Sequence, residues 1–317
     1  MSEALLRVEG LSVAFRGGAI QAVDGVDLAL HAGETLAVVG ESGSGKSVTA
    51  LATLRLFARE DDVRTAGRIL FQGEDLLGLP EAELRKRRGR DIGIIFQDPG
   101  ASLNPVFNIG RQITEVLRRH KHLPRAEAEA EALRLLREVG ISDPEGRLRS
   151  YPHQLSGGMR QRVMIAIALA CGPRVLIADE PTTALDVTIQ AQILGLLKAL
   201  QAAHGMALLF ITHDLELVGD IADRIAVMYA GQVVESGPAA EVLADPRHPY
   251  TRALLDCRPH RGADGEVHFA AIPGTPPRGV FPGGCRFAAR CARRAAGCEQ
   301  PQPLLTEGAR AVRCCRA

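Results

Sequence analysis

Residues Gly40-Glu41-Ser42-Gly43-Ser44-Gly45-Lys46-Ser47 satisfy the pattern G-x-x-x-x-G-K-[ST] at every position. The chemistry is phosphate capture. Gly40, Gly43 and Gly45 open backbone conformations closed to other residues and bring amides against phosphate oxygens. Lys46 would reach the β- and γ-phosphates and the Ser47 hydroxyl would bind Mg²⁺, with Ser42, Ser44 and Val48 completing the loop and the first helical turn. A second set of chemical groups follows the apolar run Val175–Ala178, which ends in Asp179-Glu180. Asp179 would hold Mg²⁺. Glu180 points the other way on an extended chain and would polarise an attacking water. Gln97 and His213 each end another expected strand, where open α/β sheets place their ligands. Gln97 is a candidate contact of Mg²⁺ and the water, and His213 of the γ-phosphate.

These groups need elements to carry them. Thr35 to Val39 reads as a buried strand and Ser47 to Leu56 as a helix whose first N–H groups lack intrahelical partners, a start that attracts phosphate. Residues 4 to 15 and 19 to 30 alternate as strands around a Gly17-Gly18 turn, an antiparallel sheet ahead of the loop. Phe15 is a candidate to stack on an adenine ring, or else a core phenylalanine. Gly67 to Phe71 and Ile92 to Phe96 read as strands. The basic run Arg85 to Arg90 reads as a solvated face, with a contact to an acidic partner or nucleic acid as the alternative. Residues 105 to 150 become helical. Pro124 opens one segment whose Leu133, Leu136 and Val139 share a face, with Glu131 and Arg134 paired on another and Gly140 at its end. Leu155-Ser156-Gly157-Gly158-Met159-Arg160-Gln161 leads into an apolar helix over Val163 to Ala170. Thr188 to Ala203 is a further helix, Ala207 to Thr212 a buried strand, and Arg224 to Glu235 a hairpin turning at Ala230-Gly231. From Gly237 proline and glycine become frequent (Pro273, Pro276, Pro282 and Gly283 among them), and a small loop-rich module is expected, stapled by its cysteines.

Composition narrows the function class. The chain has 317 residues, room for two domains. Lys+Arg 38 against Asp+Glu 37 leaves a net charge of +1, which does not suggest a protein that lives on nucleic acid. The most apolar stretches, Val163 to Cys171 and Met206 to Ile211, fall well short of the ~18 to 20 residues that cross a bilayer. The first residues show no export signal, so a cytoplasmic location is expected. Five of the seven cysteines lie after residue 284. In that compartment the clustering reads as metal binding before disulfides. Cys285, Cys291, Cys298 and Cys314 have gaps of five, six and fifteen residues. These match neither zinc-finger pairs nor ferredoxin spacings, so spacing alone indicates four thiolates for a soft metal. Cys171 and Cys257 read as structural.

The nucleotide loop, Gln97, Leu155-Ser156-Gly157-Gly158, Val175 to Glu180, Ala184-Leu185-Asp186 and His213, in this order, resemble the ATP-binding subunit of an ABC transporter. Ile95 to Pro99, Ser102-Leu103-Asn104-Pro105, Tyr151-Pro152-His153-Gln154, His248-Pro249-Tyr250-Thr251 and the tail from Ile272 to Cys291 are similar to the dipeptide/oligopeptide importer ATPases, a family that also serves nickel and glutathione uptake. Gly100-Ala101 depart from the bulkier pair of that family. The resemblance implies an α/β P-loop NTPase fold, an ABC ATPase core with an antiparallel β subdomain and a helical subdomain at about 100–158. It implies a nucleotide-binding domain over 1–236 and a small Cys-rich C-terminal extension over 237–317. It further implies a head-to-tail dimer in which Ser156, Gly157, Gly158 and Gln161 serve the ATP on a partner's loop, with Asp186 as a further nucleotide-binding candidate.

The expected cofactors are ATP, Mg²⁺ and, by resemblance, a [4Fe-4S] cluster on Cys285, Cys291, Cys298 and Cys314, with zinc or no metal as alternatives and Cys315 as a rival fourth ligand. The expected partners are a second homologous ATPase, two transmembrane permease subunits docked near Ser102 to Leu117, and indirectly an extracytoplasmic solute-binding protein. The chain would sit on the cytoplasmic face of the membrane. The competing class is a soluble ABC ATPase acting on DNA or the ribosome. Only 109 residues separate Ser47 from Ser156, too few for the coiled coils of DNA-repair members, and there is one cassette where translation factors usually carry two.

Overall fold

The computed structural model describes residues 3–57, 62–183, 185–257, 260–261, 267–268, 271–277, 279, 281 and 283–316. Ala184 and Pro282 therefore lie outside the described residues. The chain divides into two compact units, one of residues 1–77 and 211–317, the other of residues 78–210.

The first unit begins with β1 (Leu6–Phe15) and β2 (Ile20–Leu30), joined by a tight turn over Arg16–Gly18. After β3 (Thr35–Val39) and α1 (Lys46–Thr53), β4 (Val63–Phe71) and β5 (Glu74–Asp75) complete a four-stranded antiparallel sheet in the order β2-β1-β4-β5. Alternation buries Leu11, Val13, Val23 and Val26 on one face of this sheet. The helix after the loop starts one residue before the sequence reading and stops at Thr53 rather than Leu56, where Leu54 and Arg55 turn back onto Ala52 and Leu51 carbonyls.

The second unit carries α2 (Glu81–Arg87), β6 (Ile92–Ile95), α3 (Pro99–Ser102), α4 (Ile109–Lys121), α5 (Arg125–Glu138), α6 (Pro144–Arg147), α7 (Gly157–Leu169), β7 (Val175–Asp179), α8 (Val187–His204) and most of β8 (Ala207–Thr212). Strands β6 and β7 pair in parallel, with β8 on the other side of β7. Phe96 falls outside its expected strand and is exposed. The basic run is solvated and ion-paired: Lys86 to Glu83 at 2.7 Å, Arg88 to Glu81 at 2.5 Å and Arg87 to Asp91 at 2.9 Å.

Helix α4 buries Ile109, Ile113 and Leu117, one side chain per turn, and collects Arg118, Arg119, His120 and Lys121 at its negative end. In α5 the Glu131–Arg134 pair forms at 2.8 Å and Leu136 and Val139 are buried as expected, but the rest of the buried stripe is Ala128, Ala132 and Leu135. Leu133 is only half-buried. The stripe is anchored by the two alanines, whose small side chains a reading of large apolar residues passes over. Helix α7 starts six residues earlier than expected, because Ser156 caps it and the two glycines form its first turn.

The chain returns to the first unit within β8 and continues through α9 (Leu215–Ile221), β9 (Arg224–Tyr229) and β10 (Gln232–Pro238). The hairpin turns where expected, with Ala230 and Gly231 both at positive φ. Then come α10 (Ala239–Ala244), α11 (Pro249–Asp256), the short pair β11 (His260–Arg261) and β12 (Val267–His268), and a closing hairpin of β13 (Leu305–Glu307) and β14 (Arg310–Val312). Strand β14 pairs with β10, giving the order β13-β14-β10-β9-β3 with β3 and β9 parallel. Among the described residues no helix is long and apolar enough to cross a membrane.

The tail is fastened by buried charge. Glu235 is 0% exposed and accepts from Arg310 Nη2 at 2.8 Å and from the Arg247 and His248 amides at 2.9 Å each. His248 then caps α11, its Nδ1 accepting from the Tyr250 amide at 3.0 Å. Desolvation lowers the His248 pKa from 6.5 to about 4, so the folded imidazole is neutral. An unfolded histidine takes up its proton near pH ~6.5. Stability should therefore fall as pH drops below the unfolded value, by about 1.4 kcal/mol per unit, and level off near the folded pKa. Denaturant unfolding of the parent and of His248→Asn, whose side-chain oxygen keeps the cap, isolates this slope: the parent loses stability between pH ~6.5 and ~4 faster than the variant.

Candidate active site

In the first unit, β3 delivers the chain into the loop with Val39 fully buried. Gly40 has φ 150°, and a Cβ there would lie 2.1 Å from the Met228 carbonyl oxygen. At Gly45, φ is 104° and a Cβ would lie 2.6 Å from the Ala22 carbonyl oxygen. Only glycine permits these approaches, and they curl the loop over the start of α1. Lys46 is 5% exposed, and its Nζ donates to the Gly40 carbonyl at 2.8 Å and the Glu41 carbonyl at 3.1 Å. No side chain caps α1. The buried Ser44 hydroxyl has no hydrogen-bond partner among the described residues. An orphaned hydroxyl of this kind costs about 1–3 kcal/mol, which a phosphate oxygen would relieve. Ser47 and Val48 are half-buried in the first turn, and Ser42 and Gly43 are exposed. Uncapped amides, a buried ammonium and an orphaned hydroxyl on one loop fit a Mg²⁺-bound triphosphate.

Phe15 is half-buried, with its ring edge-to-face against Phe57 at 5.8 Å. His213 is exposed at the end of β8, and Asp214 beyond it caps α9 by accepting from the Glu216 amide at 2.8 Å.

In the second unit, Asp179 closes β7 at 6% exposure. Glu180 follows with φ 47°, left-handed for a residue with a Cβ, which costs of order 1–3 kcal/mol unless its surroundings hold it. They do. Its Oε2 accepts from Gln97 Nε2 at 3.0 Å and from Thr183 Oγ1 at 2.9 Å. Gln97 and Glu180, 83 residues apart, are thus brought together. Thr183 is the residue that sequence reasoning missed. Its signal was a hydroxyl three positions after the carboxylate, across a turn closed by the Thr183 amide on the Glu180 carbonyl at 3.2 Å.

The Ser-Gly-Gly segment packs on the start of α8. Ser156 Oγ accepts from the Met159 amide at 3.3 Å, and Asp186 Oδ1 from the Ile189 amide at 3.0 Å. A Cβ on Gly158 would meet Ile189 at 3.0 Å, and one on Gly157 would meet Leu185 at 3.6 Å. Gln161 is 1% exposed, with no partner for its Nε2 among the described residues.

The cysteine module converges without closing. The Cys285 amide donates to the Cys298 carbonyl at 2.8 Å. Burial pushes the Cys285 thiol up, and the sulfurs of Cys298, Cys314 and Cys291 add to that shift. The Cys298 sulfur lies 3.8 Å from that of Cys315. Among the described residues no group of three or more His, Cys, Asp or Glu is arranged to hold a metal ion. Cys171 and Cys257 lie apart and half-buried.

Known proteins resemble this chain along its length. A family profile described as ABC transporter matches residues 23–183, and one described as the oligopeptide/dipeptide transporter C-terminal region matches residues 234–298. The oligopeptide transport ATP-binding protein OppD of Bacillus subtilis is 54% identical over 275 residues, covering 86% of this chain and 77% of that protein. A putative peptide import ATP-binding protein of Brucella abortus is 50% identical over 327 residues, covering 98% and 97%. Among solved structures, cbiO1 of Clostridium perfringens, part of the ABC transporter complex cbiONQ, has TM-score 0.65 at 30% identity over 77% of this chain and 92% of its own. The MJ0796 cassette, a dimer bound to ADP and Pi, has TM-score 0.66 at 28% identity over 74% and 98%. With the loop and the paired carboxylates inside the ABC transporter match, the C-terminal region matched as well, and relatives about half identical over most of the chain, the chain belongs to the ATP-binding ABC transporter family, in the branch that carries the oligopeptide/dipeptide C-terminal region.

Proposed function

We propose that this chain is the ATP-hydrolysing subunit of an importer for peptides or a related small solute. The observation that carries the reading is the presence, in one chain, of an intact nucleotide loop and the oligopeptide/dipeptide transporter C-terminal region. Residue roles follow from local chemistry. Gly40 to Val48 cradle the phosphates, with Lys46 as counter-charge, and Ser47, Asp179 and Gln97 are the Mg²⁺ contacts. The metal would neutralise charge on the phosphate oxygens. Glu180, steadied by Gln97 and Thr183, orients the attacking water as general base, and His213 reads the γ-phosphate. Phe15 is the candidate adenine contact, and its packing on Phe57 fixes the ring edge-on.

Ser156, Gly157, Gly158 and Gln161 complete the ATP site of a second, homologous ATPase chain, and Asp186 is a further nucleotide contact. The shape of the Ser156 cap, a serine at an α-helix start, supports an anion-facing role. ATP stabilises the closed dimer because its second face exists only there. The dimer docks on two permease subunits through the segment around Ser102 to Leu117 at the cytoplasmic face of the membrane, and an extracytoplasmic binding protein delivers the solute. The nucleotide-binding domain is read as 1–236 and the extension as 237–317.

The four cysteines are read as ligands of a [4Fe-4S] cluster, a reading supported by the hydrogen bond at 2.8 Å from the Cys285 amide to the Cys298 carbonyl, which joins two of them. The Cys298–Cys315 approach favours Cys315 as a competing fourth ligand.

Three outcomes check this reading. Glu180→Gln should keep ATP binding and lose about 10² to 10⁴ in kcat; hydrolysis at the parent rate overturns the general-base role. Vesicles holding the permease subunits and this ATPase should accumulate short peptides only with ATP, and uptake that persists without ATP would refute the coupling. Anaerobically purified protein should contain iron with visible sulfur-to-iron absorbance; protein free of iron and holding zinc, or neither metal, refutes the cluster.

A further inference from the structure

Glu41 follows Gly40 in the nucleotide loop, and each of its polar groups is engaged. Its amide donates to Tyr250 Oη at 2.8 Å, and its carbonyl accepts from Lys46 Nζ at 3.1 Å and the Ser44 amide at 3.2 Å. Its carboxylate is gripped by the guanidinium of Arg290, Nη1 to Oε2 at 2.6 Å and Nη2 to Oε1 at 2.9 Å. That two-pronged geometry is the strong form of the ion pair. The Arg290 side chain is 4% exposed and the Glu41 side chain 27%. The rest of the guanidinium is also spoken for: Nε donates to the Pro273 carbonyl at 2.8 Å, and Nη1 to Tyr229 Oη at 3.3 Å.

Arg290 comes from the cysteine module, one residue before Cys291, and 249 residues from Glu41. A second arginine beside a cysteine reaches the same region. Arg286, next to Cys285, donates to the Ala230 carbonyl at 2.5 Å and pairs with Asp24. The neighbouring Gly231 amide donates to the carbonyl of Ser44, inside the loop, at 2.9 Å.

A carboxylate is an odd occupant of a loop that must accept a polyanion, because like charges within a few ångströms repel strongly where water is partly excluded. We infer that Arg290 is a positioning residue of the ATPase: it neutralises Glu41 and holds it in place, so that the C-terminal cysteine module sets the affinity of the nucleotide loop for ATP. The inference rests on ATP binding at this loop, which Lys46→Ala tests separately.

The experiment uses the full chain and measures ATP KM, kcat and equilibrium Mg-ATP binding. Arg290→Gln should raise KM and Kd roughly tenfold, with kcat changed by less than about twofold. Adding Glu41→Gln to it removes the exposed negative charge and should recover most of the lost affinity. A merely structural role for Arg290 predicts no recovery, since the second substitution restores none of the module's contacts. Arg290→Lys keeps the charge but loses the fork and should give a smaller rise. It also stands in for Arg290→Gln if that variant does not fold. Affinities of Arg290→Gln or its stand-in equal to the parent, while Lys46→Ala abolishes binding, overturn the inference, as does a double variant no tighter than Arg290→Gln alone. Unimpaired binding in Lys46→Ala would instead overturn the loop's assignment.

Discussion

The nucleotide loop depends on a backbone-to-backbone approach that no side chain would survive. A Cβ at Gly40 would lie 2.1 Å from the Met228 carbonyl oxygen and one at Gly45 2.6 Å from that of Ala22. Those two contacts press the loop against β9 and β2, and they also place the Lys46 ammonium where the Gly40 and Glu41 carbonyls can hold it. Much of the first unit serves that approach. Strand β3 is buried at every position, its neighbour β9 runs parallel to it, and the Ala230-Gly231 turn donates back into the loop at Ser44. A single added methyl group at Gly40 would have to displace a buried strand, which close-packed interiors resist.

The second unit solves a different problem, the presentation of acidic groups. Strand β7 is apolar and buried until Asp179, and the chain then breaks into a left-handed residue at Glu180. The conformation is unfavourable in isolation, but hydrogen bonds from Gln97 and Thr183 determine the carboxylate's direction. A carboxylate held this way keeps its direction without reorganisation. Ser156 and Asp186 act as helix caps in the same unit, so the residues that read as nucleotide contacts also terminate helices.

Charge takes the place of a large apolar core in the tail. Glu235 with Arg310 and Glu41 with Arg290 are bidentate or multiply bonded pairs with the arginine side chains at most 8% exposed. Buried pairs add little net stability, yet losing one partner leaves an uncompensated charge at several kcal/mol, which makes them effective at specifying a single arrangement. Phe287 packs against Tyr229 and Tyr250 at 5.3 Å each, and this aromatic group carries the tail's arginines toward the loop.

Much of this was legible in the sequence, for a physical reason. Strand β8 and the Ala230-Gly231 turn fall where the residue pattern places them, and the loop glycines occur where positive φ is needed, because periodicity, turn chemistry and glycine preference act over a few neighbouring residues. The buried stripe of α5, the early start of α7, the Thr183 hydrogen bond and the nearness of Cys315 to Cys298 were not legible. Each depends on what lies opposite in space: alanines that fit a close neighbour, a serine free to cap, a turn that closes after a strand. The pairing of Glu41 with Arg290 is the extreme case. Local sequence determined that one is an acid inside a phosphate loop and the other an arginine beside a cysteine. Only the tertiary structure, by packing Phe287 against Tyr229 and Tyr250, decided that they meet, since a contact between distant residues is selected by shape and burial that no local pattern encodes.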